Sequence, residues 1–337
     1  MKIDGSLMFD PVKVGEMAEQ LESMGFDGAY CFEGQNDPFV SLTVAAMKTQ
    51  QMELMSSIAV ALARNPMSLA YLGKDLQLVS SGRFILGLGT QVKAHVERRY
   101  SMPWSKPAAR MREMVQAIRA IWHSWDTGER LSFEGEFYTH TLSSPNFKPP
   151  PNPHGRPRIF LAGVGPLMTE VAGEVADGYF IHPFNSEVSM DTLSLPSLDR
   201  GLAKSGRGRG DCEVSAQVIV ATGLNEEKFE SAVFSARNQI AFYGSTPAYR
   251  PILEAHGWGE FQPRWNDMIK AGQWAELASS VDDEMLHTFA VVGSLDEIAQ
   301  KLFQRAEGRL DRVSPVVYDP DPDLLAAILG AIKKREI

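Results

Sequence analysis

The chain has 337 residues, with 33 basic and 42 acidic side chains and a net charge of −9. Hydrophobic residues make up 44% and charged residues 22%; these are globular values, so disorder is not the default and there is ample material for a large buried core. The acidic balance disfavours general binding to nucleic-acid phosphates. No stretch reaches the ~18 uninterrupted apolar residues of a membrane span, and Met1-Lys2-Ile3-Asp4-Gly5 lacks a signal-peptide core, so no membrane or nucleic-acid partner and a cytoplasmic location are expected.

Two periods alternate along the chain. Lys2 to Met8 is an apolar run with strand character. Pro11 to Met24 has helical spacing, with Asp10-Pro11 as N-cap and first helical residue and Gly25 closing it. Gly28 to Phe32 is the second strand. Phe39 to Thr49 reads as a helix, Met52 to Val60 as strand three, Pro66 to Ser80 as a helix and Arg83 to Leu88 as strand four. Strands that are apolar throughout suit a parallel sheet covered on both faces.

Lys106 to Trp125 predicts a long helix, followed by a hairpin of Leu131–Phe133 and Glu136–Tyr138 that turns at Glu134-Gly135. Arg158 to Ala162 is strand five, Pro166 to Val175 its helix, and Gly178 to His182 strand six. Glu213 to Ala221 is strand seven, Glu226 to Phe242 its helix, Val313 to Tyr318 strand eight and Pro320 to Lys334 a closing helix. About eight strand–helix units predict an α/β chain with one (β/α)8 TIM barrel domain over 1–337, with insertions near 126–157 and 244–285. The second insertion carries Tyr249, Trp258, Phe261, Trp265 and Trp274, which suit either a lid over a substrate or an excursion packed on the barrel.

The active site of such a barrel lies just beyond the strand C-termini. Carboxylates there are few, namely Glu33 and Asp37, and no G-x-S-x-G elbow or Walker A sequence occurs, so a reaction carried by a bound cofactor fits better than hydrolysis. Ala162-Gly163-Val164-Gly165, between a strand and a helix, suits backbone approach to a phosphate or merely a tight turn. Gly87-Leu88-Gly89-Thr90 would admit a flat ring to the backbone or simply let the barrel curve. Of seven histidines only His95 and His182 fall near strand ends, and none has metal-site spacing, so no metal is expected. Residues 98–119 carry Arg98, Arg99, Lys106, Arg110, Arg112 and Arg119 against Glu113 alone, an attraction for an anionic ligand or a solvated helix face. Cys31 and Cys212 lie far apart in apolar runs and read as buried, reduced thiols.

Taken together, three blocks resemble the bacterial luciferase-like monooxygenase and coenzyme F420-dependent oxidoreductase family. They are Glu19 to Phe32, Asp75 to Gly89 (DLQLVSSGRFILGLG), and Leu161 to Pro166 followed by Ala172-Gly173 and Ala176-Asp177-Gly178. The stretch Gln91 to Tyr100 is similar to a deazaflavin-dependent branch. The resemblance implies a barrel that binds coenzyme F420 or, alternatively, FMN. It implies a strand-three bulge, often with a cis peptide, near Ser57-Ile58 to support the ring. It places Thr90 and Gln91 against the ring or its hydroxylated chain, and Ala162, Gly163, Val164 and Gly165 on the phosphate. His182 joins them as a cofactor-binding candidate. Where many deazaflavin dehydrogenases have Asp-His after strand two this chain has Glu33-Gly34, and their acid after strand four falls on Val92, so their sugar-phosphate mechanism does not carry over. Glu33 and His95 are the proton-handling candidates.

The expected activity is hydride transfer between a deazaflavin ring and a small organic substrate. The alternatives are an FMN-dependent monooxygenase fed by a separate reductase, and a cofactor-free barrel with a binding or structural role. A homodimer through outer helices is expected by analogy.

Overall fold

The computed structural model describes residues 1–7, 10–318 and 321–335. Its strands are β1 (Lys2–Ser6), β2 (Gly28–Cys31), β3 (Glu53–Ser56), β4 (Phe84–Gly89), β5 (Arg158–Ala162), β6 (Gly178–Ile181), β7 (Glu213–Ala221) and β8 (Arg312–Val316). Each pairs in parallel with the next, and β8 returns to β1 through Lys2↔Arg312 and Ile3↔Val313. The described strands therefore close a parallel eight-stranded barrel surrounded by helices, the (β/α)8 fold with insertions.

Alternation along each strand sorts the side chains. Ile3, Ala29, Leu54, Leu86, Ile159 and Val214 face outward into the core beneath the helices. Tyr30, Met55, Ile85, Phe160 and Phe180 fill the barrel's centre. The N-terminal end is plugged by charge: Arg312, fully buried, donates to both Asp4 oxygens at 2.9 and 2.6 Å, and also meets Glu53 and Glu213, which in turn hold Arg158. Burial alone would raise the Glu53 carboxyl, but Arg312, with Lys2 and Arg158, overrides it and holds the group down at about 2. A repeated aspartate locks strand starts: Asp27, Asp177 and Asp311 each accept the backbone N–H of a neighbouring strand (Ile3, Ile159, Val214) at 2.8 Å, which gives Ala176-Asp177-Gly178 a structural reason.

Helices α1 (Val14–Met24), α2 (Pro38–Lys48), α3 (Pro66–Val79), α4 (Lys93–Arg98), α5 (Pro107–Thr127) and α6 (Pro166–Val175) follow β1 to β5. Pro38, Pro66, Pro107 and Pro166 open their helices where a missing N–H has no cost. Helix α1 starts later than its Pro11 signal, because Asp10 first closes a turn in which its carboxylate accepts from Val12 N–H at 2.9 Å. Strand one ends at Ser6; Met8, its expected end, lies outside the described residues, as does Pro320, the expected start of the closing helix. That helix spans Pro322–Lys333, capped by Asp321.

The expected hairpin is displaced: Phe133–Glu134 pairs with Thr139–His140. The Glu113 carboxylate, from α5, accepts the N–H groups of Glu136, Phe137 and Tyr138 at 2.9, 2.7 and 2.6 Å, which gathers those residues into the turn instead of a strand. A long α7 (Glu226–Gly244) leads from β7 into short helices that include Arg250–Glu254, Phe261–Lys270 and Asp283–Phe289. They form a second core over the ends of β6 and β7, where Trp265, Leu253, Phe184, Ile219 and Phe289 meet. Of the second insertion's aromatics, Trp265 is fully buried here, while Trp274 is half exposed. Two elements not among the expected ones follow: the strand Ala290–Val292, paired with Ile219–Ala221, and the helix Leu295–Ala306, whose start the Ser294/Glu297 capping box does mark in the sequence.

Candidate functional site

The barrel's C-terminal mouth has two unlike halves. On the β3–β5 side the backbone is bare. Pairing runs Met55↔Ile85 and resumes at Ala59↔Leu88, so β3 carries one extra residue, a bulge, and the Ser57–Ile58 peptide within it is cis. The Ser56 hydroxyl bridges the gap, donating to Gly87 O at 2.8 Å and accepting from Gly87 N–H at 2.9 Å. Only glycine fits there, since a Cβ on Gly87 would fall 1.7 Å from Ser56 O. Gly89, one turn of the pleat higher, lies under Ile58, with room for a Cβ only if the Ile58 side chain moves. Thr90 follows, then Gln91 in the left-handed region at φ 61°, its side chain accepting from Val92 N–H at 2.9 Å.

Glu33 braces this wall. Its backbone N–H donates to Ile58 O at 3.0 Å. Its carboxylate accepts from Val60 N–H at 2.7 Å, from Arg64 at 2.5 Å and from the Tyr100 hydroxyl at 2.6 Å, and its side chain is only 6% exposed. Arg64 is shared with Asp37 at 2.8 Å. Burial and the bond to Glu33 push the Tyr100 phenol up to about 12. The ends of β2 and β3 and the loop after β4 are thus tied through one carboxylate. His95 stands exposed on α4.

Next to the wall, the chain runs from Ala162 through Gly163 and Val164 to Gly165, the N-cap of α6. No side chain caps this helix; Pro166 has no N–H, and the N–H groups of Met168 and Thr169 donate to Gly165 O, both at 3.1 Å. Tyr179 fixes the loop by donating to Gly163 O at 2.7 Å. A cavity of about 150 Å³ opens beside it, lined by Val164, Gly165, Pro166, Thr192, Arg200 and Ile252 among others. Among the described residues no cluster of three or more His, Cys, Asp or Glu is disposed to hold a metal ion, and no helix is long and apolar enough to cross a membrane.

The opposite half is aromatic. The His182 ring lies 4.6 Å from that of Tyr243 and 4.5 Å from that of Tyr249. Its Nδ1 accepts from Phe184 N–H at 3.1 Å, and burial pushes its pKa down to about 3. Asn185 holds the turn by donating to His182 O and Gln217 O at 2.7 and 2.9 Å. Tyr318, just past β8, sits within electrostatic reach of Tyr243 and Tyr30, and burial raises its phenol far above the ordinary value. Asn185 Oδ1 is buried without a hydrogen-bond partner among the described residues, and the Tyr318 and Tyr243 hydroxyls pair with each other.

The structure therefore brings Glu33, Ser57, Ile58, Thr90, Gln91, Ala162, Gly163, Val164, Gly165 and His182 to one end of the barrel. His95 lies on the same side but exposed, with no side-chain partner among the described residues. Sequence reasoning places Arg64 just after strand three without a role, and gives no role to Tyr100 or Tyr243, which have no motif. The strand-end rule applied to strand eight does single out Tyr318. The basic excess of 98–119 is largely bound internally: Arg99 to Gly34 O, Lys106 to Glu136, Arg110 to Tyr138 and Pro103 O, Arg112 to Glu174, and Arg119 to Asp177. Cys31 and Cys212 are buried free thiols, each raised by burial to about 11.

Fold and mouth together define a (β/α)8 protein with an open, glycine-backed wall at the strand C-termini. The luciferase-like monooxygenase profile matches residues 4–312, and the chain belongs to that family. It is 50% identical to an uncharacterized protein of Mycobacterium tuberculosis, over 99% of this chain and 98% of that one. It is 29% identical to the 5,10-methylenetetrahydromethanopterin reductase of Archaeoglobus fulgidus, covering 92% and 91% of the two chains. The structure of the coenzyme F420-dependent tetrahydromethanopterin reductase of Methanopyrus kandleri superposes with a TM-score of 0.80 at 20% identity, covering 98% and 97% of the chains.

Proposed function

We propose that this chain is a cytoplasmic, coenzyme F420-dependent oxidoreductase acting on a small organic substrate. The observation that carries the proposal is the bare wall at Gly89, backed by the Ser57–Ile58 bulge and continuous with the uncapped N-terminus of α6. The planar ring would lie against Ile58, whose side chain covers Gly89, and beside Ala162. Thr90 and Gln91 line its edge. The N–H groups of Val164 and Gly165 and the dipole of α6 suit a phosphate. The Methanopyrus kandleri reductase, described as coenzyme F420-dependent, supports the deazaflavin over FMN.

When bound, the deazaflavin supplies or accepts hydride. The protein's part is orientation and exclusion of water. Glu33, with three donors on its carboxylate, is a positioning residue that fixes the wall. His95, exposed on α4, is poorly placed to exchange a proton within a dry pocket. His182 borders the side from which substrate would face the ring.

A second reading, an FMN-dependent monooxygenase fed by a separate reductase, is favoured by the family's description and uses the same wall. Titrating the purified chain with both cofactors decides between them. Micromolar affinity for F420 is expected; micromolar FMN binding with no F420 binding overturns the choice of coenzyme, and affinity for neither favours a cofactor-free barrel. We also propose a homodimer through the α1–α2 face, where Val12, Val40 and Met47 are exposed at 85%, 54% and 72%. A monomer by light scattering at micromolar concentration would overturn that.

A further inference from the structure

The second insertion is joined to the loop that carries His182 by rings and by one hydrogen bond. The rings are inner: His182 and Phe184 meet Tyr249 with centroids 4.5 and 6.0 Å apart. The hydrogen bond is outer, further along both stretches of chain, where Ser186 Oγ lies 2.7 Å from His256 Nε2. Ser186 is 2% exposed, and its Oγ already accepts from Ser189 N–H at 3.0 Å as the cap of the helical turn Glu187–Ser189. The hydroxyl proton has no other acceptor among the described residues. His256 therefore takes it at Nε2 and carries its own ring proton on Nδ1. The His256 ring is half-buried, stacked on Trp258 at 5.0 Å and edge-on to Phe289 at 5.5 Å. Burial lowers its pKa, and Glu284, acting through space from Asp283–Phe289, opposes this in part. The other charges on the elements around it are engaged elsewhere: Glu254 with Arg250, Asp283 with Arg237, Asp282 with Met285 N–H, Glu187 with Arg309, and Arg305 with the carbonyls of Thr288 and Phe289. His287, on the same helix as Glu284, is exposed.

We propose that His256 is a positioning residue that works as a pH-sensitive latch: neutral, it holds residues 249–258 against the His182–Ser186 loop and keeps Tyr249 on His182; ionised, it lets that segment lift from the mouth. The proton that ionises the ring goes onto Nε2, the atom that takes the Ser186 proton. The imidazolium can keep Ser186 only if Oγ accepts twice and turns its own proton to where nothing accepts it, in a buried site. The hydrogen bond that ties the two stretches is thereby lost or made costly. The loop itself stays on the barrel, because Asn185 donates to His182 O and Gln217 O at 2.7 and 2.9 Å, so the insertion is the side that moves. The sign of the linkage is definite. The folded pKa lies below the unfolded one, so the latch contributes fully above the unfolded value and is lost as pH falls through the folded value. The consequence for coenzyme chemistry, the one step that rests on the oxidoreductase reading, is that the His182 side of the mouth is closed near neutrality and opens in acid.

Amide hydrogen exchange over residues 246–258, read by mass spectrometry on the full chain without coenzyme and corrected for the intrinsic rate, measures how often the segment opens. From about pH 7.5 to about pH 4.5 protection there is expected to fall about 10-fold, the worth of one buried hydrogen bond, in step with the ionisation of His256 followed by nitrogen NMR. His256→Gln, whose amide oxygen still accepts from Ser186 and which does not ionise, should stay protected at both ends of the range. His256→Phe should be as open at pH 7.5 as the wild-type chain is at pH 4.5. A fall in protection that persists in His256→Gln, no fall while His256 ionises, a protected His256→Phe, or a neutral His256 with its proton on Nε2 at pH 7.5 overturns the proposal. Titration with F420 and FMN keeps the two readings apart. A chain that binds F420 yet shows no acid opening refutes the latch alone, whereas a working latch on a chain that binds neither cofactor refutes the oxidoreductase reading alone.

Discussion

Replacing Glu33 with glutamine keeps the shape of the side chain and removes its charge. In the wild-type chain that carboxylate accepts from Arg64, Tyr100 and Val60 N–H within 2.7 Å, at 6% side-chain exposure. Removing one partner of a buried ion pair costs ~3–5 kcal/mol when the other charge is stranded. Here Arg64 keeps Asp37 at 2.8 Å and the amide oxygen still accepts one bond, so the expected loss is about 2 kcal/mol. It should appear as a lower urea midpoint with an unchanged slope. The Tyr100 phenol, raised to about 12 by burial and its bond to Glu33, should fall toward its ordinary value, which an ultraviolet titration reads. Coenzyme affinity should fall with stability, because the carboxylate holds the residues on both sides of the Ser57–Ile58 bulge. An unchanged midpoint and coenzyme affinity, together with lost turnover, would show that Glu33 handles a proton and does not brace the wall.

Gly89→Ala should fold yet bind coenzyme more weakly, since its Cβ meets the movable tip of Ile58 at 2.8–2.9 Å and drives it toward the ring; Gly87→Ala, facing main-chain oxygen at 1.7 Å, should fail to accumulate as folded protein. Equal expression and equal affinity for both variants would contradict the packing of the wall. Acid should erode stability through Glu53: its folded pKa of about 2 lies below the unfolded value, so its contribution is complete above about pH 4.5 and is lost on falling toward pH 2, at most about 3 kcal/mol, measured by urea unfolding across that range. Constant stability there, or a Glu53→Gln variant with the same acid loss, would remove Glu53 from that role. For His182 the folded pKa is likewise depressed, to about 3, so nitrogen NMR should show the neutral Nε2–H tautomer down to pH 5, and an imidazolium at pH 6 would refute the buried, Nδ1-accepting geometry.

Much of the barrel was legible because its signals are local. Apolar runs, N-terminal prolines and the glycines after helices are short-range consequences of backbone geometry, so six of the eight strands fall within the expected segments, and the other two overrun them by one residue, at Gly89 and Arg312. Where local signals failed, a distant side chain had intervened. Glu113, from α5, moved the hairpin turn by gathering three N–H groups, and no pattern within residues 131–138 records that. The basic run of 98–119 looked available for a ligand until Glu174, Asp177, Glu136 and Tyr138 arrived from other elements.

The site divides in the same way. Sequence alone determined which residues stand at the strand ends, because strand position sets that directly, and it determined the small residues that leave main chain bare at Gly89 and Ala162. Tertiary structure alone decided what those residues do. It surrounded the Glu33 carboxylate with three donors, left His95 in solvent, and put His182 between two tyrosines contributed by residues 243 and 249. Protonation and reactivity depend on neighbours within a few ångströms, and in this closed barrel the neighbours of Glu33 and His182 come from 27 to 67 residues away along the chain.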